Sequence, residues 1–197
     1  MAKLGRPASF NREVALKQAM DIFWSKGYIG TQLVDLTTAM KINPPSFYAA
    51  FGSKKQAFYE AVELYISSIG SKSMIKLMES DTAANGLCAM LESTVKIARS
   101  NEAGGCLLML SLINPMPNSD EEWLYLKNIR QKTLSLICAR IEQGIADGDL
   151  PKSTQAKALA SFFFGITQAI SLQARDGASE EELTSLIEPA MSVLSPK

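Results

Sequence analysis

The chain has 197 residues, of which 47% are hydrophobic and 20% are charged, an ordinary balance for a globular protein. It contains no histidine, which excludes histidine-dependent catalytic triads and histidine-based zinc sites. Three cysteines without metal-site spacing indicate a reducing compartment. We see no signal peptide, and no stretch reaches the roughly 20 apolar residues that span a bilayer. The sequence therefore predicts a cytoplasmic protein with no membrane association.

The formal net charge of zero hides an uneven distribution of charge along the chain. Residues 1–55 carry eight Lys or Arg and three Asp or Glu, a net charge of +5, which leaves −5 on residues 56–197. A basic segment joined to an acidic body indicates that the segment binds a polyanion. Chance clustering of charge is the alternative at this point.

Helical periodicity and helix stop signals recur along the chain, and no run alternates between apolar and polar residues as a strand would. Asn, Ser and Thr residues stand where helix N-caps are expected, and Pro44 suits a first helical turn. Four helices are predicted in the first part of the chain: Arg12–Lys26 after Asn11 and ending at Gly27, Leu33–Met40 entered near Thr31, Pro44–Phe51 after Asn43, and a long helix from Ser53 to about Met78.

The remainder of the chain is also predicted to be helical, which gives an all-α protein of about nine helices. Ser179 and Glu182 form a capping-box pattern at the start of the last helix. The predicted helices of this body are Thr82–Ser100, Cys106–Ile113, Asp120–Ala146, Thr154–Arg175 and Glu180–Leu194.

The two short helices Leu33–Met40 and Pro44–Phe51 carry the functional signal. Phe47 and Phe51 lie four residues apart and are expected to face inward, which leaves the opposite face of Pro44–Ala50 outward. A short exposed helix on a three-helix support fits the DNA major groove. Many helical hairpins share this spacing, so the spacing alone leaves an ordinary hairpin open.

The residues of this region resemble the TetR (tetracycline-repressor) family of transcription regulators. The resemblance is carried by Gly30–Lys54, GTQLVDLTTAMKINPPSFYAAFGSK, and by the preceding AMDIFWSKGY of Ala19–Tyr28. It covers about residues 8–66, a third of the chain. It implies an N-terminal helix-turn-helix DNA-binding domain, residues 1–55 with the basic arm, and a helical effector-binding and dimerisation domain, residues 56–197.

The resemblance also assigns roles to individual residues. Tyr48 and Lys54 match positions that contact phosphates, and Thr31 matches a hydroxyl that caps the second helix and touches the DNA backbone. The Gly5-Arg6-Pro7 segment suits a minor groove, where Arg6 would meet negative potential. Each role has a plainer alternative. Lys54 could be an ordinary solvated charge, Thr31 could only cap the helix, and the arm could be a disordered tail. The predicted groove-facing positions are Asn43, Pro44, Pro45, Ser46, Ala49 and Ala50.

The last two helices are expected to pair with those of a second copy, because their apolar arcs are wide enough to face both a core and a partner. A monomer core is the alternative. A pocket for a hydrophobic effector is expected between the helices of the body. The candidate pocket residues, each of which could equally be plain core, are Cys106, Met109, Leu110, Ile113, Trp123, Leu126, Phe163, Thr167, Gln168 and Arg175.

Cys106 follows two glycines at an expected helix start, where the helix dipole would lower the pKa of its thiol, and Arg175 could add a cation. An inert buried cysteine is the alternative. The sequence thus predicts a homodimeric repressor that leaves operator DNA when it binds a small hydrophobic ligand or a thiol-reactive compound. The alternative is an interaction protein whose head binds a protein. No catalytic residue, metal ligand or cofactor site is recognised, so an enzyme is not expected.

Overall fold

The computed structural model describes residues 10–110 and 121–194. All regular structure in these ranges is helical, which agrees with the predicted fold class. No helix within them is long and apolar enough to cross a membrane. The helices are α1 Arg12–Gly30, α2 Leu33–Met40, α3 Pro44–Phe51, α4 Lys54–Tyr65, α5 Lys72–Glu79, α6 Ala83–Ala98, α7 Leu107–Leu110, α8 Glu121–Asp147, α9 Ala156–Arg175, α10 Glu180–Thr184 and α11 Ile187–Ser192.

Helix α1 begins where the sequence predicts, because the Asn11 side chain accepts hydrogen bonds from the backbone N–H groups of Glu13 and Val14. The helical pattern is interrupted at Gly27, which has φ +69° and ψ 173°, and resumes to Gly30. The predicted end at Gly27 is therefore a break within the helix. Val14 is 54% exposed, so it lies outside the buried face of α1 that includes Ala15, Ala19 and Phe23.

The first hydrophobic core joins α1, α2, α3 and α4. Phe23, Phe47 and Phe58 are fully buried in it. The same cluster continues without a gap into Leu107 and Leu126 of α7 and α8. The head formed by α1–α4 is consequently packed on α7 and α8 of the body.

The second hydrophobic core lies within the body, between α5, α6, α8, α9, α10 and α11. Leu87, Met90 and Leu91 of α6 are fully buried in it together with Phe163 and Ile170 of α9. Helix α6 therefore occupies the centre of the body, and α9 covers it on one side.

Two predicted long helices are broken in the structure. The helix expected from Ser53 to about Met78 has a π-helical turn over Ile66–Gly70, and α5 follows it. The helix expected over Glu180–Leu194 is split between α10 and α11. Pro189 explains the second break, because proline removes a donor and clashes with the carbonyl four residues earlier unless it lies in a first helical turn, where α11 places it.

Candidate DNA-binding surface

A three-residue turn connects α2 to α3. Lys41 adopts a left-handed conformation, φ +54° and ψ 42°, and its N–H lies 3.2 Å from the Thr38 carbonyl oxygen. The Ile42 N–H donates to the Thr37 carbonyl oxygen at 3.1 Å. These bonds satisfy the last carbonyl groups of α2 and turn the chain sharply into α3, as a helix-turn-helix requires.

Helix α3 starts at Asn43, whose side-chain oxygen accepts a hydrogen bond from the Ser46 N–H at 2.9 Å. Pro44 and Pro45 occupy the first two helical positions, where a missing N–H costs nothing. Asn43 is exposed, but its oxygen is engaged in the cap. Any base contact by Asn43 therefore falls to its amide nitrogen.

The two roles of Asn43 can be separated by substitution. Asn43→Ala should lower the free energy of unfolding by about 1 kcal/mol, because the N-cap acceptor is lost. Asn43→Ser keeps a capping oxygen, so its unfolding free energy should stay close to that of the wild type while the amide nitrogen is removed. Urea unfolding followed by circular dichroism measures both. Equal stability of the wild type and Asn43→Ala would contradict the cap.

Helix α3 is two-sided. Phe47 and Phe51 are buried, as predicted, with their ring centroids 5.4 Å apart. On the other side Pro44, Pro45 and Ala49 are exposed, Ser46 and Ala50 are half-buried, and Tyr48 is 51% exposed. The surface that we call the recognition face, Pro44–Ala50 without Phe47, is thus open to a partner.

Lys54 lies at the start of α4, next to the recognition face. Its ammonium is 4.4 Å from the centroid of the Tyr28 ring, a cation–π contact that the sequence analysis missed. Partial burial lowers the pKa of Lys54, and the negative charges of Glu122 and Asp35 oppose that shift. The side chain is therefore held in place beside α3 by an aromatic ring instead of moving freely in solvent.

Thr31 is placed differently from the prediction. It is 1% exposed, and its hydroxyl donates to the Gly27 carbonyl oxygen at 2.6 Å. The N-cap of α2 is Gln32, whose backbone N–H donates to Asp35 at 2.8 Å. The predicted cap at Thr31 was wrong, and its hydroxyl completes the turn around the Gly27 break. We do not retain its side chain as a phosphate contact.

Several cations of the basic segment are already paired inside the protein. The Arg12 guanidinium donates to Glu60 at 2.6 Å and to the Ala50 carbonyl oxygen at 3.2 Å, which ties α1 to the end of α3. Lys26 pairs with Asp35, and Lys55 pairs with Glu121 of α8. Arg6, the predicted minor-groove residue, lies outside the described residues.

The predicted effector residues do not come together as one set. Leu126 belongs to the first core, whereas Phe163 is buried in the second. Gln168 is exposed on α9, and the Thr167 hydroxyl donates to the Phe164 carbonyl oxygen at 2.7 Å. Trp123 is half-buried with the Lys127 ammonium over its ring. Ile113 and the side chain of Leu110 are outside the described residues. Cys106 and Leu126 both belong to the first core, and the Met109 N–H donates to the Cys106 carbonyl oxygen at 3.1 Å.

The environment of Cys106 corrects the prediction for its thiol. Burial raises the pKa of the Cys106 thiol. Hydrogen bonds from the Tyr65 hydroxyl, at 3.1 Å, and from the backbone N–H groups of Met109 and Leu108 act in the opposite direction but are smaller effects. The expected backbone donors are present, yet loss of hydration outweighs them, so the thiolate is disfavoured.

Arg175 is also elsewhere than predicted. The cation that influences Cys106 is Arg130, whose guanidinium donates to the Leu108 carbonyl oxygen at 2.9 Å. Arg175 instead donates to the carbonyl oxygens of Trp24, at 2.7 Å, and Ser25, at 3.0 Å, on α1. No local sequence signal could reveal this contact, because 150 residues separate Arg175 from Ser25.

Comparison with known proteins supports the interpretation of this surface. The family described as "Bacterial regulatory proteins, tetR family" matches residues 15–62. The transcriptional repressor ComR of Escherichia coli K12 is 31% identical over 185 residues, 91% of this chain and 86% of ComR. The repressor BdcR of the same strain is 24% identical over 180 residues, again 91% of this chain and 86% of the relative.

Solved structures of TetR family regulators are also similar to this chain. The TetR family regulator CifR, with substituted cysteines and in complex with a 26-bp double-strand operator DNA, has a TM-score of 0.91 and 38% identity, covering 97% of this chain and all of CifR. A TetR regulator from Chloroflexus aurantiacus shares the fold with a TM-score of 0.78 at 20% identity, covering 92% of each chain.

The fold, the exposed face of α3 and these relatives define a helix-turn-helix DNA-binding transcriptional regulator, not an enzyme. Within that class, the chain belongs to the TetR family.

Proposed function

We propose that this regulator is a homodimeric repressor whose two recognition faces enter successive major grooves of one operator. The observation that carries the proposal is the exposed face of α3 above buried Phe47 and Phe51. The exposed residues supply proline and alanine groups, which suit thymine methyls, and no arginine for a bidentate guanine contact. Sequence discrimination therefore rests on methyl contacts, DNA shape and the Arg6 arm.

In this proposal Tyr48 and Lys54 contact phosphates on either side of the groove. Tyr48 is exposed at the edge of the recognition face, and Lys54 is held beside it over Tyr28. Residues 1–55 carry the DNA contacts in this proposal, and residues 56–197 carry pairing and effector binding. Footprinting of the purified protein on the DNA beside its own gene, at two salt concentrations, tests the proposal. Binding that is independent of salt would contradict phosphate contacts.

Pairing is proposed to use the outward side of α9 together with α11. Phe162 on α9 and Val193, the residue after α11, are exposed large apolar residues, and both line an open apolar depression of about 440 Å³. Gly165 lies on the same side of α9, and a Cβ added there would have no neighbour within 4 Å. A small residue on an open apolar stripe allows a second helix to approach closely.

Release from the operator is proposed to follow binding of a small hydrophobic compound, or alkylation of Cys106, at the part of the first core around α7 and the start of α8, here called the α7–α8 cluster (Cys106, Leu107, Leu108 and Leu126). Cys106 connects this cluster to the head through Tyr65, since the Tyr65 ring packs against Trp24 of α1 with centroids 4.9 Å apart. A group attached to the Cys106 sulfur would displace the Tyr65 hydroxyl and disturb that contact. Iodoacetamide is a suitable probe: the thiolate sulfur forms a bond to carbon, iodide leaves, and solvent takes the proton.

We expect alkylation of Cys106 by iodoacetamide to be slow at pH 7 and to accelerate about tenfold per pH unit towards pH 9. The raised pKa leaves little thiolate at neutral pH. As long as the pH stays below the pKa, each rise of one pH unit increases the thiolate fraction about tenfold. Mass spectrometry of labelled peptides gives the rate at each cysteine.

The alkylated protein should lose operator binding, and Cys106→Ser should make binding insensitive to iodoacetamide. Cys88→Ser and Cys138→Ser are matched controls, since both thiols pack against the second core, not the first, and bond to Glu92 and Glu142. If Cys106→Ser leaves release by iodoacetamide unchanged, Cys106 is not the sensor.

A further inference from the structure

Arg175, the last residue of α9, makes a contact that the proposed repressor mechanism has not used. Its guanidinium donates to the carbonyl oxygens of Trp24 and Ser25 in α1. In an uninterrupted α-helix each of these carbonyls would accept a hydrogen bond from the N–H group four residues later. The break at Gly27 interrupts this pattern just after them. A cation on helix-terminal carbonyl groups is favourable both as a hydrogen-bond donor and towards the helix dipole.

The contact is part of a junction where two further hydrogen bonds join α1 to the body. The Trp24 indole N–H donates to the Gly105 carbonyl oxygen at 3.2 Å, and the Asn101 amide donates to Asp21 at 3.1 Å. Gly104 packs against the end of α9, since a Cβ there would lie 2.5 Å from the Ala174 carbonyl oxygen. Trp24 is 1% exposed. The junction is therefore closely packed as well as hydrogen-bonded.

Helix α9 is a direct mechanical link between the proposed pairing surface and the head. Gly165 and Arg175 are ten residues apart on one uninterrupted helix, about 15 Å along its axis. The Arg175 end of this helix holds α1, which carries the first core and thereby α3. A head that tilts away from the end of α9 must lengthen the bonds between Arg175 and the carbonyls of Trp24 and Ser25.

We propose that Arg175 is a positioning residue for operator binding: its two hydrogen bonds to α1 set the angle of each head on α9 and so the separation of the two recognition faces. The inference rests on the proposed homodimer. It assigns Arg175 no contact with DNA or effector. Its role is to select the spacing between operator half-sites, because a dimer reads two half-sites at a distance fixed by its own geometry.

The test compares operators that differ only in half-site spacing. A duplex obtained by in vitro selection with the wild-type protein is synthesised with its native spacing and with one or two base pairs inserted or deleted at the centre. Affinities are measured by fluorescence anisotropy at one salt concentration. Arg175→Ala should bind the native spacing about tenfold more weakly than the wild type, while its affinity for the altered spacings changes little.

The conservative variant and a control complete the test. Arg175→Lys can hold one of the two carbonyls and should restore part of the spacing preference. Arg99→Ala removes a guanidinium that also bonds to a carbonyl, that of Ala178 at 3.4 Å, but away from α1, and should keep the wild-type preference. Thermal unfolding by circular dichroism shows that each variant is folded.

The possible results separate the inference from the dimer on which it rests. An equal loss of affinity by Arg175→Ala at every spacing, or no loss at any spacing, overturns the positioning role. A wild-type protein that has no spacing preference at all overturns the paired reading of two half-sites, and the inference with it. A preference that is present in the wild type, reduced in Arg175→Ala and partly restored in Arg175→Lys supports it.

Discussion

Lys54→Gln should weaken operator binding at every sequence alike and flatten its dependence on salt. Each phosphate contact by a lysine releases counterions and contributes about 0.9 to the slope of log affinity against log salt concentration. A dimer that loses two such contacts should therefore show a slope smaller by about 1.8. Anisotropy titrations between 50 and 200 mM salt, roughly the range over which this effect is large, measure the change.

Tyr48→Phe provides the matched comparison, because it removes a hydroxyl and no charge. Its affinity should fall by about tenfold or more, given that a hydrogen bond to a charged group contributes roughly 1.5–3 kcal/mol, while its salt slope stays at the wild-type value. The double variant Tyr48→Phe with Lys54→Gln should leave only weak binding. The salt slope would thus distinguish a charged phosphate contact by Lys54 from an uncharged hydrogen bond by Tyr48.

Lys76→Gln is the charge control for this experiment. Lys76 is exposed on α5, away from the head, so its loss changes the net charge without removing a proposed phosphate contact. The Lys54→Gln protein also loses the cation–π contact with Tyr28, which contributes about 0.5–1 kcal/mol, and a small fall in its melting temperature is expected. If Lys54→Gln and Lys76→Gln alter the slope equally, Lys54 stays over Tyr28 and off the phosphates.

The helix starts were predictable from sequence because their causes are local. Asn11, Asn43, Ser53 and Ser179 each cap a helix through backbone N–H groups two or three residues away. Such bonds depend on residue type and short spacing, which a sequence displays directly. The two-sided character of α3 was predictable for the same reason, since it depends on the four-residue interval between Phe47 and Phe51.

The errors arose where distant parts of the chain decide the outcome. Thr31 has the residue type of an N-cap, but the break at Gly27 turns it into the interior. Cys106 lies at a helix start as expected, yet its burial in the assembled fold raises the pKa of its thiol. Tyr65 and Arg130, 41 and 24 positions away in the sequence, act in the opposite direction but do not outweigh burial. Burial is a property of the assembled fold, so a pKa argument from a helix end alone gave the wrong direction.

The break of the long helix after Tyr65 has a physical cause that becomes visible only in three dimensions. A Cβ at Gly70 would lie 2.6 Å from the Tyr65 ring, so the π-helical turn over Ile66–Gly70 lays the chain directly on that ring. The Tyr65 hydroxyl bonds to Cys106, and the ring packs on Trp24. π-Helical turns often occur at functional sites, and here the turn adjoins the proposed path from effector to head.

The strongest test of the proposed dimer is a substitution that the single chain tolerates. Gly165→Arg should leave the fold intact, because Gly165 is helical and a Cβ added there would have no neighbour from other parts of the chain within 4 Å. Replacing a helical glycine should, if anything, add a few tenths to 1 kcal/mol to stability. The same arginine would put two charges and two bulky side chains into the seam between paired α9 helices, where neither has a partner.

We therefore expect Gly165→Arg to be monomeric in analytical ultracentrifugation and folded by circular dichroism, with a melting temperature that no longer rises with protein concentration. Its operator affinity should fall by about 10²–10⁴-fold, because two half-sites joined on one duplex no longer meet two joined heads. Gln143→Arg, an equal addition of charge on the exposed side of α8, should remain dimeric and bind normally. A dimeric Gly165→Arg protein would mean that the seam lies elsewhere. The argument that one rigid helix connects the seam to α1 would then fail. A monomer that still bound its operator with full affinity would mean that a single recognition face suffices.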